Sequence, residues 1–296
     1  METIEALKRR IQSTEDLQSV VKTMKAMAAV KIRQFQKAAE ALENYNETVE
    51  AALQAALRDR PGLVTNARRG PEDRIGAIVF GTDQGMCGPL NDQVAAHALR
   101  TLADFAAPAK NRTVLAVGER VAGRLEDEGQ PVKERITLPG SVAGINGRVQ
   151  QVLLKIEEWN ASWGSGRVIL FYSRQVSGSA TRPLAVHLLP LDRAWLERLR
   201  SRTWPTKAVP QYTMDRDQLI SALVRQYLFV SIFRAFADSL ASENTSRLAS
   251  MQGAEKNIGE QLAALNTHYH QKRQMAITEE LLDIVSGFEA LGEQEF

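Results

Sequence analysis

All ten prolines of this 296-residue chain lie between Pro61 and Pro210. Residues 1–60 hold neither proline nor glycine, and residues 211–296 hold four glycines and no proline. Proline inside a helix removes a hydrogen bond and clashes with the preceding turn, and glycine weakens a helix by about 1 kcal/mol relative to alanine. A chain so punctuated divides into a helical N-terminal arm (1–60), an interrupted central region (61–210) and a helical C-terminal arm (211–296). Charge follows the same division: net +1, +6 and −5, for a whole-chain value of +2.

Every seventh residue from Leu7 reads Leu7, Thr14, Val21, Ala28, Phe35, Leu42, Val49 and Ala56, apolar at all but one position. The companion seam, Ile4, Ile11, Gln18, Lys25, Ile32, Ala39, Asn46 and Leu53, mixes apolar and polar side chains. One sustained seam beside one broken seam predicts a long coiled-coil helix. Over residues 4–58 it would reach about 80 Å, too long for a compact domain. The alternative, a bundle helix broken somewhere in this stretch, lacks a breaker residue to break it. The C-terminal arm carries a dense apolar stripe, Leu219, Ile220, Leu223, Val224, Tyr227, Leu228, Phe233 and Phe236, continued more sparsely to Ala276. Two such arms flanking one region predict an antiparallel coiled coil with a globular α/β insertion.

The central region alternates short apolar runs with helical stretches. Runs at 75–80, 113–117, 132–138, 167–172 and 184–189 read as strands; 91–105, 119–128 and 149–159 read as helices. That alternation predicts an α/β layer with a mostly parallel, Rossmann-like sheet. A glycine-rich turn, Gly81 to Gly88, follows the first strand. Its spacing fits neither G-x-G-x-x-G nor G-x-x-x-x-G-K-[ST]. The turn therefore reads as a strand-to-helix connection using glycine for positive φ.

Other chemistry finds little support. Cys87 is the sole cysteine, so no internal disulfide forms and a reducing compartment fits. As a nucleophile it would need a base, and His97 in the next helix is the nearest candidate. His268 and His270 stand two apart on a helix and do not face one site, so no metal site is expected. Arginines from Arg193 to Arg202 interleave with Trp195 and Trp204, a pattern that suits nucleic acid, an acidic protein surface or plain solvent. The weak overall charge makes no case for nucleic acid. No cofactor is expected. The N-terminus lacks the marks of a secretory or transit segment, and no unbroken run of 18 apolar residues predicts a membrane span.

Several stretches together resemble the gamma subunit, the central rotor shaft, of F-type ATP synthases. They are Lys22-Thr-Met24-Lys25 and Ala28-Ala-Val-Lys31-Ile-Arg33 in the first arm, and Thr82-Asp83-Gln-Gly85-Met-Cys87-Gly88-Pro-Leu90-Asn91 in the middle. Ala241-Ser242-Glu243, Lys272-Arg273-Gln274 and Ile277-Thr278-Glu279-Glu280-Leu281-Leu282-Asp283-Ile284-Val285-Ser286-Gly287 follow in the last arm. The resemblance runs in order along nearly the whole chain. It departs at Phe288, where alanine is usual, at Pro89 and Gln84, where glycine and arginine are common, and at Val21, which replaces a threonine. These departures point to a divergent or alternative bacterial synthase, with the coupling ion, proton or sodium, left open.

The resemblance implies a non-catalytic shaft inside a ring of alpha and beta subunits, its foot on the epsilon subunit and the membrane ring of c subunits. Location would be peripheral, on the cytoplasmic face of the bacterial inner membrane. Rotation of the asymmetric shaft would couple ion flow to ATP synthesis or hydrolysis. It further implies that Arg273, Gln274 and Thr278 form a polar catch against the catalytic subunits, and that Met24 faces a moving acidic loop. Leu281, Leu282, Ile284, Val285 and Phe288 would turn in an apolar bearing. On periodicity alone that last group reads as coiled-coil packing. Two rival functions are an independent nucleotide-binding α/β enzyme with helical oligomerisation arms, and a static coiled-coil scaffold.

Overall fold

The computed structural model describes residues 3–58, 74–105, 111–163, 166–204 and 211–292, and the side chains of residues 287–292 are outside that description. The expected boundaries at 60/61 and 210/211 fall in or beside stretches outside the described residues. Helix α1 (Ile4–Leu57) is unbroken, as a sequence without breakers requires. Then come β1 (Ile75–Phe80), α2 (Leu90–Ala103), β2 (Arg112–Val117), α3 (Glu119–Asp127) and β3 (Glu134–Ile136). A short 3-10 turn, Val142–Gly144, leads into α4 (Ile145–Trp163), β4 (Arg167–Ser177), β5 (Ala180–Leu189), α5 (Arg193–Ser201) and α6 (Arg216–Gly292).

The five strands form one sheet in the order β3-β2-β1-β4-β5. The first four are parallel, and β5 returns antiparallel to β4 through a hairpin. All six β1 residues are buried, as a central parallel strand covered on both faces demands. One face carries Ile78, Phe80, Leu115, Leu170 and Tyr172 against α4, Phe35 of α1, and Ile232, Phe233 and Phe236 of α6. The other carries Ala77, Val79, Val114, Ile169 and Phe171 against Val94, Ala98, Leu102, Val121 and Leu125 of α2 and α3.

The chain divides into two compact units, residues 28–247 and residues 1–27 with 248–296. In the larger unit the late part of α1 runs antiparallel to the early part of α6. Glu43 meets Arg234, Tyr45 donates to Gln226, and Val49 and Leu53 pack with Leu223 and Tyr227. Helix α5 covers that pair through Leu196 and Leu199, beside Trp195, whose ring packs tilted against Tyr227. The seams behave as their sequence dictates. Leu7, Val21, Ala28, Phe35, Val49 and Ala56 are at most 5% exposed, with Thr14 and Leu42 half-buried. The polar-interrupted seam is half-buried throughout, except for buried Leu53.

Helix α6 contains one 18-residue stretch apolar enough on average to cross a membrane, with mean hydropathy 1.4. Its apolar stripe is interrupted by Arg225 and Arg234, and Leu228, Val230, Ile232, Phe233 and Phe236 are buried in the larger unit. One third of that stretch is buried within the larger unit.

Candidate partner-contact surfaces

The smaller unit pairs the start of α1 with the end of α6. Val21, Met251 and Ile258 form its buried centre, flanked by Met24, Ala254 and Leu262. Lys25 binds Glu255 at 2.5 Å across the pair. That contact sets the register. Stepping back from Lys25 to Ile4 along α1 and equally far forward along α6 reaches about Ala276, because both helices rise 1.5 Å per residue. Ala276 is the last half-buried residue described on α6. Every described side chain from Ile277 to Ser286 is exposed.

That unpaired end is apolar. Met275, Ile277, Leu281, Leu282, Ile284 and Val285 are 47–63% exposed. At 100° per residue they cover about half the helix circumference, opposite Glu279, Glu280 and Asp283. Among the expected contact residues, Arg273, Gln274 and Thr278 are exposed on this end, with the Thr278 hydroxyl donating to the Gln274 carbonyl at 2.9 Å. The exposed segment from Ile277 thus holds five of the nine expected residues, with Arg273 and Gln274 exposed one turn before it. Phe288 falls where side chains are not described. Met24 lies on the other helix, half-buried against the Val21–Met251–Ile258 centre. Sequence reasoning missed the stripe around it. Leu17, Val20 and Met27, all more than half exposed, follow the i, i+3, i+7, i+10 spacing with Met24 as third member.

The sheet's C-terminal edge, where folds of this winding bind ligands, is filled by the chain itself. Asp83 accepts from the Glu119 N–H at 3.0 Å and the Leu138 N–H at 2.8 Å, and so occupies the N-terminus of α3. Thr82 is fully buried. It exchanges hydrogen bonds with Asn91 and donates its hydroxyl to the Gln84 carbonyl at 2.7 Å. Cys87 is buried 3.6 Å from Asn91 Nδ2 and 3.7 Å from Thr82 Oγ1, while His97 stacks edge-on against Phe171 instead. Glycine is needed here, though not only where the spacing suggested. Gly88 takes φ 57° and Gly118 φ 117°, but Met86 also takes φ 60°, and Gly81 is needed because a Cβ there would meet Val121 at 2.3 Å.

A buried pair closes the same edge. Glu243 and Arg247 of α6, each 7% exposed, pair at 2.7 Å, and Arg247 Nη2 also donates to the Gly85 carbonyl at 3.4 Å. Burial pushes the Glu243 carboxyl above its ordinary value, Arg247 pulls it down, and nearby Asp83 raises it. Among the described residues no group of three or more His, Cys, Asp or Glu side chains is placed to hold a metal.

Long N- and C-terminal helices, antiparallel within each unit, with a mostly parallel α/β sheet between them in sequence, define a coiled-coil α/β protein. Residues 3–291 match the ATP synthase family model. The chain is 30% identical to the ATP synthase gamma chain of Sinorhizobium medicae, with 98% of this chain and 100% of that one aligned. It is 29% identical to the gamma chain of Cyanothece sp. over the same shares. Its fold is similar to a chain of the rotor of Euglena gracilis mitochondrial ATP synthase, with TM-score 0.63, 15% identity, and 93% and 98% of the two chains covered. It is also similar to a central stalk and c-ring chain from Tetrahymena thermophila, with TM-score 0.58, 19% identity, and 79% and 99% covered. The chain belongs to the gamma-chain family of ATP synthases, whose members are non-catalytic central-stalk subunits of a membrane-associated complex.

Proposed function

We propose that the chain is the rotating shaft of a bacterial ATP synthase, held on the cytoplasmic face of the inner membrane. Its α/β region would dock on epsilon and the c ring, and its helical end would lie within the alpha–beta head. The observation that carries this reading is the unpaired end of α6, with six large apolar side chains exposed on about one half of the helix. A monomer rarely leaves such a surface to water, so it fits the apolar wall of a surrounding ring. Leu281, Leu282, Ile284, Val285 and Phe288 are its bearing residues, Arg273, Gln274 and Thr278 its directional contacts, and Met24, with Leu17, Val20 and Met27, a second strip facing the ring.

Such a shaft does no chemistry on nucleotides. Its asymmetry presents a different surface to each of three identical catalytic sites. Driving one site from almost wholly open to almost wholly closed takes roughly 5.5 kcal/mol of differential interaction, more than one contact supplies. Many contacts on a stiff lever are required, and two unbroken helices supply the stiffness. The deciding measurement is the subunit count of the purified native complex. One copy of this chain per three copies of each of two larger subunits supports the shaft. A symmetric stoichiometry, or nucleotide hydrolysis by the chain alone, overturns it.

A further inference from the structure

The stretch of α6 from Ser239 to Arg247 does not look like the rest of that helix's buried face. Ser239, Ser242, Glu243, Asn244, Thr245 and Arg247 are all at least nine-tenths buried. Asn244 and Thr245 turn their side chains back to carbonyls of their own helix. Among the described residues Ser239 Oγ has no hydrogen-bond partner, and Glu243 pairs with Arg247 of the same helix. Three contacts leave the helix. Ser242 donates to the Ser173 carbonyl of β4 at 2.9 Å, and just before it Asp238 accepts from Arg174 Nε at 2.8 Å. Arg247 bridges Glu243 and the Gly85 carbonyl of the turn after β1. Within three helical turns α6 is therefore tied to β4 at Ser173 and Arg174 and to the turn after β1 at Gly85. Glu243 Oε2 and Arg247 Nε are buried with no hydrogen-bond partner in this arrangement.

Stability alone does not call for this arrangement. A buried ion pair often contributes no more than apolar side chains of the same volume. The neighbouring contacts of Phe236, Ala237, Leu240 and Ala241 with the sheet are apolar and non-directional. Helices packed that way can reseat one turn along, about 5.4 Å, by moving ridges into the next grooves. The polar stretch opposes that, since a rotation or one-turn slip would break the Arg247–Gly85, Ser242–Ser173 and Asp238–Arg174 contacts and leave their buried polar groups unpaired.

We infer that the Glu243–Arg247 pair is a torsional lock, fixing the rotational setting and axial register of the α/β sheet on α6 so that torque passes between them without slip. Both are positioning residues, and the inference rests on the rotating-shaft reading above.

The test uses the assembled synthase in sealed vesicles and reads ion pumping per ATP hydrolysed, beside the unfolding midpoint of the full chain. Arg247→Met leaves a buried, unpaired carboxylate, and both readouts fall, pumping per ATP at least threefold. In Glu243→Gln/Arg247→Met neither charge remains. The midpoint returns to that of the parent while pumping per ATP stays at least threefold low. If pumping recovers together with the midpoint, the pair is structural only and the lock is overturned. Should the double variant fail to fold, Arg247→Lys takes its place, keeping the charge but losing the fork shared with Gly85. Lowered pumping per ATP then supports the lock, and parental pumping overturns it. A parent complex that hydrolyses ATP without pumping at all overturns the rotating-shaft reading instead.

Discussion

Asp83 does at the sheet edge what a bound phosphate does in dinucleotide-binding folds: it places negative charge on the N-terminus of the helix after β2. The arrangement depends on a close backbone approach. At Gly118 a Cβ would lie 2.8 Å from the Thr82 nitrogen, in a backbone conformation that L side chains rarely adopt. Gly118→Ala is expected to lower stability by about 1–3 kcal/mol, read as a drop in urea midpoint at unchanged slope. Glu243 gives a prediction in pH. Its carboxyl is raised chiefly by burial, so the folded chain holds that proton more tightly than the unfolded chain. The contribution is complete below the ordinary value of 4.5 and is lost as pH rises through the raised value. Glu243→Gln has no such loss, so its stability relative to the parent should improve steadily as pH rises above 4.5. Urea midpoints over a pH series check this; a flat relative stability would mean Arg247 fully offsets the burial, and one that worsens with pH would mean the folded carboxyl lies below its ordinary value. At this scale the sequence told little. The glycine spacing announced a tight turn, but nothing local marked Met86 for positive φ. Glu243 stood in a motif matching a family, with no sign that Arg247 one turn on would bury beside it.

The elements were more legible, because period and breakers act over tens of residues. The apolar heptad from Leu7 predicted which face of α1 disappears, and the mixed seam predicted the half-covered one beside it. Strand β1 was readable to the residue. Strand β3 was expected over seven residues and pairs over three, and β4 and β5 run well past their apolar cores into the hairpin at Gly178. In those extensions most residues are polar and the pairing is tertiary, so hydropathy is silent. A contrast between two α1 positions tests the seam argument. Phe35 is 2% exposed in the sheet-facing core, whereas Leu17 is 52% exposed. Phe35→Ala should cost about 3–5 kcal/mol in chemical unfolding of the isolated chain. Leu17→Ala should cost within about 0.5 kcal/mol there, because about half of the side chain is already exposed to solvent. Equal losses at the two positions would show that both faces of α1 are covered in the free chain.

The arrangement of the whole chain was foreshadowed by proline placement, and its family by several short motifs taken in order, each too weak to identify it alone. Which surfaces meet partners was not readable from period, since Leu281, Leu282, Ile284 and Val285 repeat as coiled-coil packing would. The register, with the described part of α1 reaching opposite about Ala276, supports the partner-facing reading. The same register makes a prediction about shortening the chain. Nothing described on α1 covers α6 beyond Ala276, so removing everything from Ile284 onward should leave the unfolding midpoint of the isolated chain unchanged and improve its solubility. In the assembled complex the same removal takes away part of a non-directional bearing. ATP-driven pumping should fall but persist, since the remaining coiled coil still transmits torque. Removing everything after Met275 also takes Thr278 and the whole exposed apolar segment, and pumping per ATP should drop further while the isolated chain stays folded. If the longer truncation couples as well as the parent, the end of α6 contributes neither bearing nor catch. If instead the short truncation already unfolds the isolated chain, that segment is packed within the chain, and the partner-facing assignment of Leu281, Leu282, Ile284 and Val285 is wrong.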